Sequence, residues 1–231
     1  MKARIVVVAV VVALVGAGLF VLPEASAATT GPAQVVTVRA AGSTSTYATV
    51  EAWSRTSTGV YRRVAGPWTA RTGKNGVGPT QEGLGRTPVG SWSFGTAFSV
   101  GHTNPGTTLP FFKVDVNDVW AGDVQSPTTY NRHVRCAPYK CPFRVTGHSE
   151  RLINYPAPYA WAIDLGYNEN PIVVGKGSAF FLHVGTGGPT AGCVSLPASQ
   201  VLSLMKWLRP GAKVTIGIGW RAYVLVPQRY T

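Results

Sequence analysis

Acidic residues are scarce in this sequence. Asp and Glu number 9 against 21 Lys and Arg, and only 13% of the 231 positions carry charge, about half the usual share of a soluble domain. Low charge combined with 45% hydrophobic residues excludes a disordered polyelectrolyte. Runs of Lys or Arg are missing, and so is any recognised nucleic-acid-binding motif, so the +12 excess is scattered and no nucleic acid is expected as a partner. Beyond Leu22 no apolar run is long enough to cross a bilayer. Neither an internal repeat nor a linker divides residues 35–231, which predicts a single domain at this length. Cysteine is almost absent, with three residues: Cys136, Cys141 and Cys193.

What is present begins with a leader. Lys2 and Arg4 precede an apolar run from Ile5 to Leu22, Pro23 breaks it, and Ala25-Ser26-Ala27 offers small residues where a signal peptidase reads. This is the pattern of a secretory signal peptide over residues 1–27, cleaved after Ala27. The rival reading is an uncleaved signal anchor, the one route by which the chain would touch a membrane. No Cys lies near the cleavage site, which argues against a lipoprotein. Removing the leader leaves the protein strongly basic. Export would place it outside the cytoplasm, among polyanions other than nucleic acid.

Residues 28–34 read as a short flexible leader. From Val35 onward, β-rich segments alternate with turns such as Ser43-Thr44-Ser45 and Ser57-Thr58-Gly59. Strands are expected at 35–39, 47–53, 60–64, 91–94, 111–116, 159–165, 172–174, 179–184, 213–218 and 221–226. Ala179–Val184 is continuously apolar apart from His183, as a central buried strand would be. One stretch differs: Val201, Leu202, Met205 and Leu208 lie on one helical face between Pro197 and Pro210-Gly211, predicting a helix over 199–208. The expected fold is mainly β, one domain with a short helix near its C-terminus.

An odd cysteine count in an exported protein leaves one thiol over. Cys136 and Cys141 flank a turn and are placed for a local disulfide. The alternative is a metal site with His133, which lacks a fourth close ligand. Cys193 is then the thiol to explain. His183 stands ten residues before it, across a Gly-rich loop that lets backbone N–H groups approach a ligand. A thiol nucleophile needs an imidazole to take its proton and amides to receive an oxyanion. A helix starting close after Cys193 would add its dipole and lower the thiol pKa. The plain alternatives are a small buried hydrophobe and a structural histidine. The Trp and Tyr residues read as core or groove walls. His102 reads as an exposed turn residue, and His133 and His148 as groove candidates.

His183 with Thr190-Ala191-Gly192-Cys193-Val194 resembles the active-site motif of the L,D-transpeptidase (YkuD-like) family, in the branch where Gly-Ser-Ala-x-x-Leu-His, here Gly177–His183, leads into Thr-Ala-Gly-Cys-Val. Gly85-Arg86-Thr87-Pro88-Val89-Gly90 resembles the family's Gly-x-Thr-Pro-x-Gly entry. Trp120 with Asp123, Tyr130-Asn131, Ser149-Glu150 and Tyr167-Asn168 resemble further signatures of that branch. The resemblance covers roughly residues 35–220. It implies a β catalytic domain without cofactor or metal. Cys193 would be nucleophile and His183 base, the Gly192 and Cys193 amides the oxyanion hole, and Thr190 a brace for the loop or imidazole. Tyr130, Asn131, His148 and Gly188 would bind substrate. The implied substrates are peptidoglycan stem peptides in a bacterial cell wall, joined by 3→3 crosslinks or, with water as acceptor, trimmed. A non-catalytic wall-binding domain is the remaining reading. Ser195 stands where an Arg often follows in the family, so Arg86, Arg132 or Lys176 would take over a carboxylate contact. Anionic wall polymers fit the basic excess.

Overall fold

A computed structural model describes residues 31–226. The signal-peptide reading and its alternative therefore lie outside the described residues, as do 28–30. Residues 31–34, expected within a leader, are tied to the domain: Pro32 O accepts the Tyr61 hydroxyl at 2.7 Å, and the Gln34 amide bridges Trp207 O and the Arg209 N–H, each at 2.8 Å.

Among the described residues, fifteen strands and one α-helix follow in order. The first eight strands are β1 (Gln34–Ala40), β2 (Tyr47–Arg55), β3 (Tyr61–Arg71), β4 (Val77–Gly78), β5 (Thr87–Pro88), β6 (Gly90–Ser93), β7 (Ala97–Ser99) and β8 (Phe111–Lys113). Then come β9 (Asp118–Ala121), β10 (Arg132–Arg135), β11 (Glu150–Arg151), β12 (Ala162–Asp164), β13 (Phe181–Val184) and β14 (Val194–Leu196), before α1 (Ala198–Trp207) and β15 (Lys213–Ile218). Ten of the strands form one mixed sheet in the order β6-β15-β1-β2-β3-β14-β13-β12-β7-β8. Smaller sheets join β10-β9-β11 and β4-β5. Among the described residues the fold is mainly β with one α-helix near the C-terminal end, as the sequence implied.

The sheet divides the core by its period of two. On β13, Leu182 and Val184 point into a cluster with Val36, Val50, Ile163 and Leu196, capped by Val201, Leu204 and Met205 of α1. Phe181 points to the opposite side, among Phe98, Trp120, Leu152, Tyr159 and Cys193. Of the expected helical face Val201, Met205 and Leu208 are buried, but Leu204 takes the core position expected for Leu202, which is only half-buried.

Three expected strands are corrected. Ile172–Val174 forms no strand; Val173 N–H is taken by Asn168 Oδ1 at 2.8 Å, and Val173 and Val174 stay exposed. Residues 159–165 begin as a 3₁₀ turn led by Pro158, and only Ala162–Asp164 pairs. Arg221–Val226 is not a strand: Gly219–Tyr223 coils as a 3₁₀ helix and packs Ala222, Tyr223 and Val226 onto Val35 and Trp53. By contrast β3 outruns its expected end, continuing through Gly66-Pro67 by a bulge against β2. Gly66 has φ +85° there, and a Cβ would stand 2.5 Å from Val50 O.

Candidate active site

Parallel pairing of β13 with β14 brings the site together. Leu182 pairs with Val194 and His183 with Ser195, so by alternation Phe181, His183, Cys193 and Ser195 share one face. Cys193 is the free thiol and is buried; Cys136 and Cys141 form a disulfide. The disulfide replaces the metal alternative. His133 pairs with Asp118 Oδ1 at 2.8 Å and stacks on Phe112. Among the described residues no group of three His, Cys, Asp or Glu side chains is placed to hold a metal.

The sulfur is held by backbone. Cys193 Sγ accepts the Phe181 N–H and donates to Ala179 O, both at 3.3 Å. Burial, with the Glu150 carboxylate adding to it, pushes the thiol up to about 12. The expected helix dipole plays no part, because β14 separates Cys193 from the start of α1. His183 is buried too, and desolvation lowers its proton affinity. Its Nδ1 donates to Val184 O at 2.8 Å, which fixes the tautomer and leaves Nε2 as the lone-pair nitrogen. The resting pair is therefore a neutral thiol and a neutral imidazole.

The loop after β13 is pinned at its far end. Thr190 Oγ1 donates to Cys193 O at 2.6 Å and accepts the Gly192 N–H at 3.1 Å. Thr190 thus braces the loop, and the Gly192 amide, expected to face an oxyanion, already has an acceptor. Gly192 serves space: at φ +148° a Cβ would come within 2.5 Å of Phe180 Cε1 and 3.0 Å of Arg86 O. Thr87 of the Thr-Pro-x-Gly segment donates to Cys193 O at 3.3 Å and accepts the Gly73 N–H at 2.8 Å, stitching that motif to the nucleophile.

A cleft of about 370 Å³ opens over Cys193 and is lined by Lys74, Glu82, His148, Glu150, Tyr155 and Ser178 among others. Residues 35–216 match the L,D-transpeptidase catalytic domain, YkuD. The chain belongs to this family. No curated protein matches it. The protein is thereby an enzyme of L,D-transpeptidase type, from a family that acts on peptidoglycan stem peptides.

Within this YkuD domain, the residues expected at the substrate separate. His148 lines the cleft, its Nδ1 3.8 Å from Glu82 Oε1. Tyr130 does not: it is fully buried, donates to Glu82 and accepts the Gly177 N–H at 3.0 Å. Asn131 is corrected likewise. Its Oδ1 accepts Trp120 Nε1–H at 3.0 Å and the Ala179 N–H at 3.1 Å, while Nδ2 binds Tyr167 O and Asn168 O. It works from behind, holding the residue whose carbonyl holds Cys193. Ala179 sits there at φ +56°, a costly conformation for a residue with a Cβ. Gly188 is exposed in the loop and lies outside the cleft lining.

Sequence reasoning missed the charged groups of the cleft. Arg86 bonds Asn75 O, Arg132 lines a different pocket, and Lys176 lies over Tyr167, so none of the three lines the Cys193 cleft. Lys74 does, from the turn after β3. Glu82 accepts hydroxyls from Tyr130 and Ser178, the latter at 2.8 Å. Glu150 accepts the Tyr159 hydroxyl, and burial pushes its carboxyl up to about 7. Only the Ser149-Glu150 signature pointed to one of them, without a role.

Proposed function

We propose that this protein is a secreted peptidoglycan L,D-transpeptidase that works through a Cys193 acyl-enzyme. The observation that carries the reading is the buried thiol facing a cleft, on the same sheet face as an imidazole whose Nε2 is left free to accept a proton. Cys193 Sγ attacks the carbonyl before the terminal residue of a donor stem, and its proton passes to His183 Nε2 as the C–S bond forms. That proton then leaves on the departing amine, and a thioester remains. Proton transfer accompanies attack, because a thiol held near 12 supplies little preformed thiolate at neutral pH. Lys74 is the cleft cation suited to a stem carboxylate. The amine of a second stem's diamino acid then takes the acyl group and gives a 3→3 crosslink.

Intact mass after incubation with a carbapenem tests this. The wild type gains a covalent adduct and Cys193→Ala gains none, while His183→Ala folds normally and acylates at least about 100-fold more slowly. No adduct on the wild type would refute the reading. Product analysis with stem tetrapeptide and a diamino-acid acceptor then separates crosslinking from a carboxypeptidase that uses water.

The leader directs export and the basic surface holds the enzyme among anionic wall polymers of a bacterium. Isolated walls should release it as salt rises; release that is independent of salt would refute retention by charge.

A further inference from the structure

The cleft contains a carboxylate that the Cys193–His183 pair does not use. Glu150 begins β11 and lines the same cleft as Cys193, close enough for its charge to act on the thiol. Among the described residues only its Oε2 takes a hydrogen bond, from the Tyr159 hydroxyl, and no Lys or Arg pairs with it. The adjacent Arg151 guanidinium is directed elsewhere, to Val116 O and Cys136 O. Glu82, the other cleft carboxylate, is engaged by two hydroxyls and stands near His148. Glu150 is therefore the group with capacity for a cationic ligand beside the nucleophile.

Transfer to an amine raises a problem that acylation does not. An aliphatic amine is an ammonium at neutral pH, without a lone pair to attack a thioester. We propose that Glu150 is a catalytic residue of the second half-reaction, binding the acceptor's ammonium and taking its proton. The inference rests on the transpeptidase reading. The ammonium N–H proton goes to a Glu150 oxygen, and the freed lone pair forms the C–N bond. As the C–S bond breaks, a second proton of the attacking nitrogen passes through His183 Nε2 to the departing sulfur and restores the thiol. Glu150 then returns its proton to water.

The surroundings suit the task. Desolvation holds Glu150 at about 7, near the pH at which a general base works best, and Glu82 raises it further while the Tyr159 hydroxyl opposes. The other titratable groups facing it are Tyr155, His148, Lys74, Cys193 and, through Tyr159, the His183 ring at 5.7 Å between ring centroids.

The test uses Glu150→Gln, with a stem tetrapeptide as donor and the free diamino acid as acceptor. Acyl-enzyme formation is read by intact mass and amine transfer by single turnover from pre-acylated protein. The expected result is transfer slowed about 100-fold, with acylation affected far less, because removing a negative charge beside the thiol favours attack. Transfer at the wild-type rate and with the wild-type pH profile would overturn the proposal. So would equal losses in both half-reactions, which a structural role would cause. Tyr159→Phe supplies a second arm: it keeps Glu150 but removes the donor that favours its ionised form, so the pH midpoint of transfer moves up, and a fixed midpoint counts against the proposal. Wild type that acylates yet transfers only to water would remove the transpeptidase reading together with this one. Wild-type transfer that survives Glu150→Gln would remove this one alone.

Discussion

Glu51, on β2, and Glu150, on β11, are both carboxyl groups withdrawn from water, but Glu51 binds the Arg63 guanidinium and the Tyr223 hydroxyl whereas, among the described residues, Glu150 takes a hydrogen bond only from the Tyr159 hydroxyl. The Glu51 side chain is 3% exposed and joins β2 to β3 and to the 3₁₀ helix after β15. Its charge is matched where the only task is folding. At Glu150 the Tyr159 hydroxyl offsets the desolvation only in part, and the carboxyl gives up its proton only at about pH 7. Charge left unmatched in a cleft beside a nucleophile marks a functional position more often than a structural one.

The largest effect expected from this contrast is a pH slope in stability. Glu150 keeps its proton in the folded state up to about pH 7, whereas the same carboxyl free in water gives it up near 4.5. Between those values the folded state binds more protons, so stability falls as pH rises and is constant again above the folded value. Glu150→Gln removes that slope. From pH 5 to pH 8 the variant should gain about 2 to 3 kcal/mol on the wild type, read from denaturant midpoints at each pH. Comparing variant with wild type cancels the parallel slope of Asp164, a second buried carboxyl that burial and Glu169 hold protonated. An unchanged difference between the two pH values would mean that Glu150 is as well compensated as Glu51.

The two glutamates also show what a sequence reveals. Period-two alternation and a single helical face gave the β fold and α1, and the Gly-Ser-Ala to Gly-Cys-Val motif named Cys193 and His183. The same patterns misread 221–226, because Ala222, Tyr223 and Val226 are buried by a 3₁₀ coil against β1 and β2, and a buried coil is as apolar as a strand. Tyr130 and Asn131 belonged to a signature, yet a signature does not say on which side of the site its residues stand. Both turned out to brace Glu82 and Ala179 from behind. Lys74 lies in the turn after β3, Glu82 in the loop between β4 and β5, and Glu150 on β11 of a separate small sheet, and only the fold gathers them around one cleft, so no spacing in the chain pointed to them together.

The finest distinction lies in the two phenols. Tyr223→Phe removes one of two partners from Glu51, and Arg63 remains, so the cost should be about 1 kcal/mol and nearly the same at pH 5 and pH 8. Tyr159→Phe removes the hydrogen-bond donor of Glu150. At pH 5 that carboxyl is protonated and loses a neutral hydrogen bond, about 1 kcal/mol. At pH 8 it is ionised and loses a charge-assisted one, so the cost should grow by about 1 kcal/mol more. Thermal or denaturant midpoints of the two variants at both pH values decide the matter. Equal pH responses would show that the Tyr159 hydroxyl does not carry the Glu150 charge, and the contrast with Glu51 would then rest on Arg63 alone.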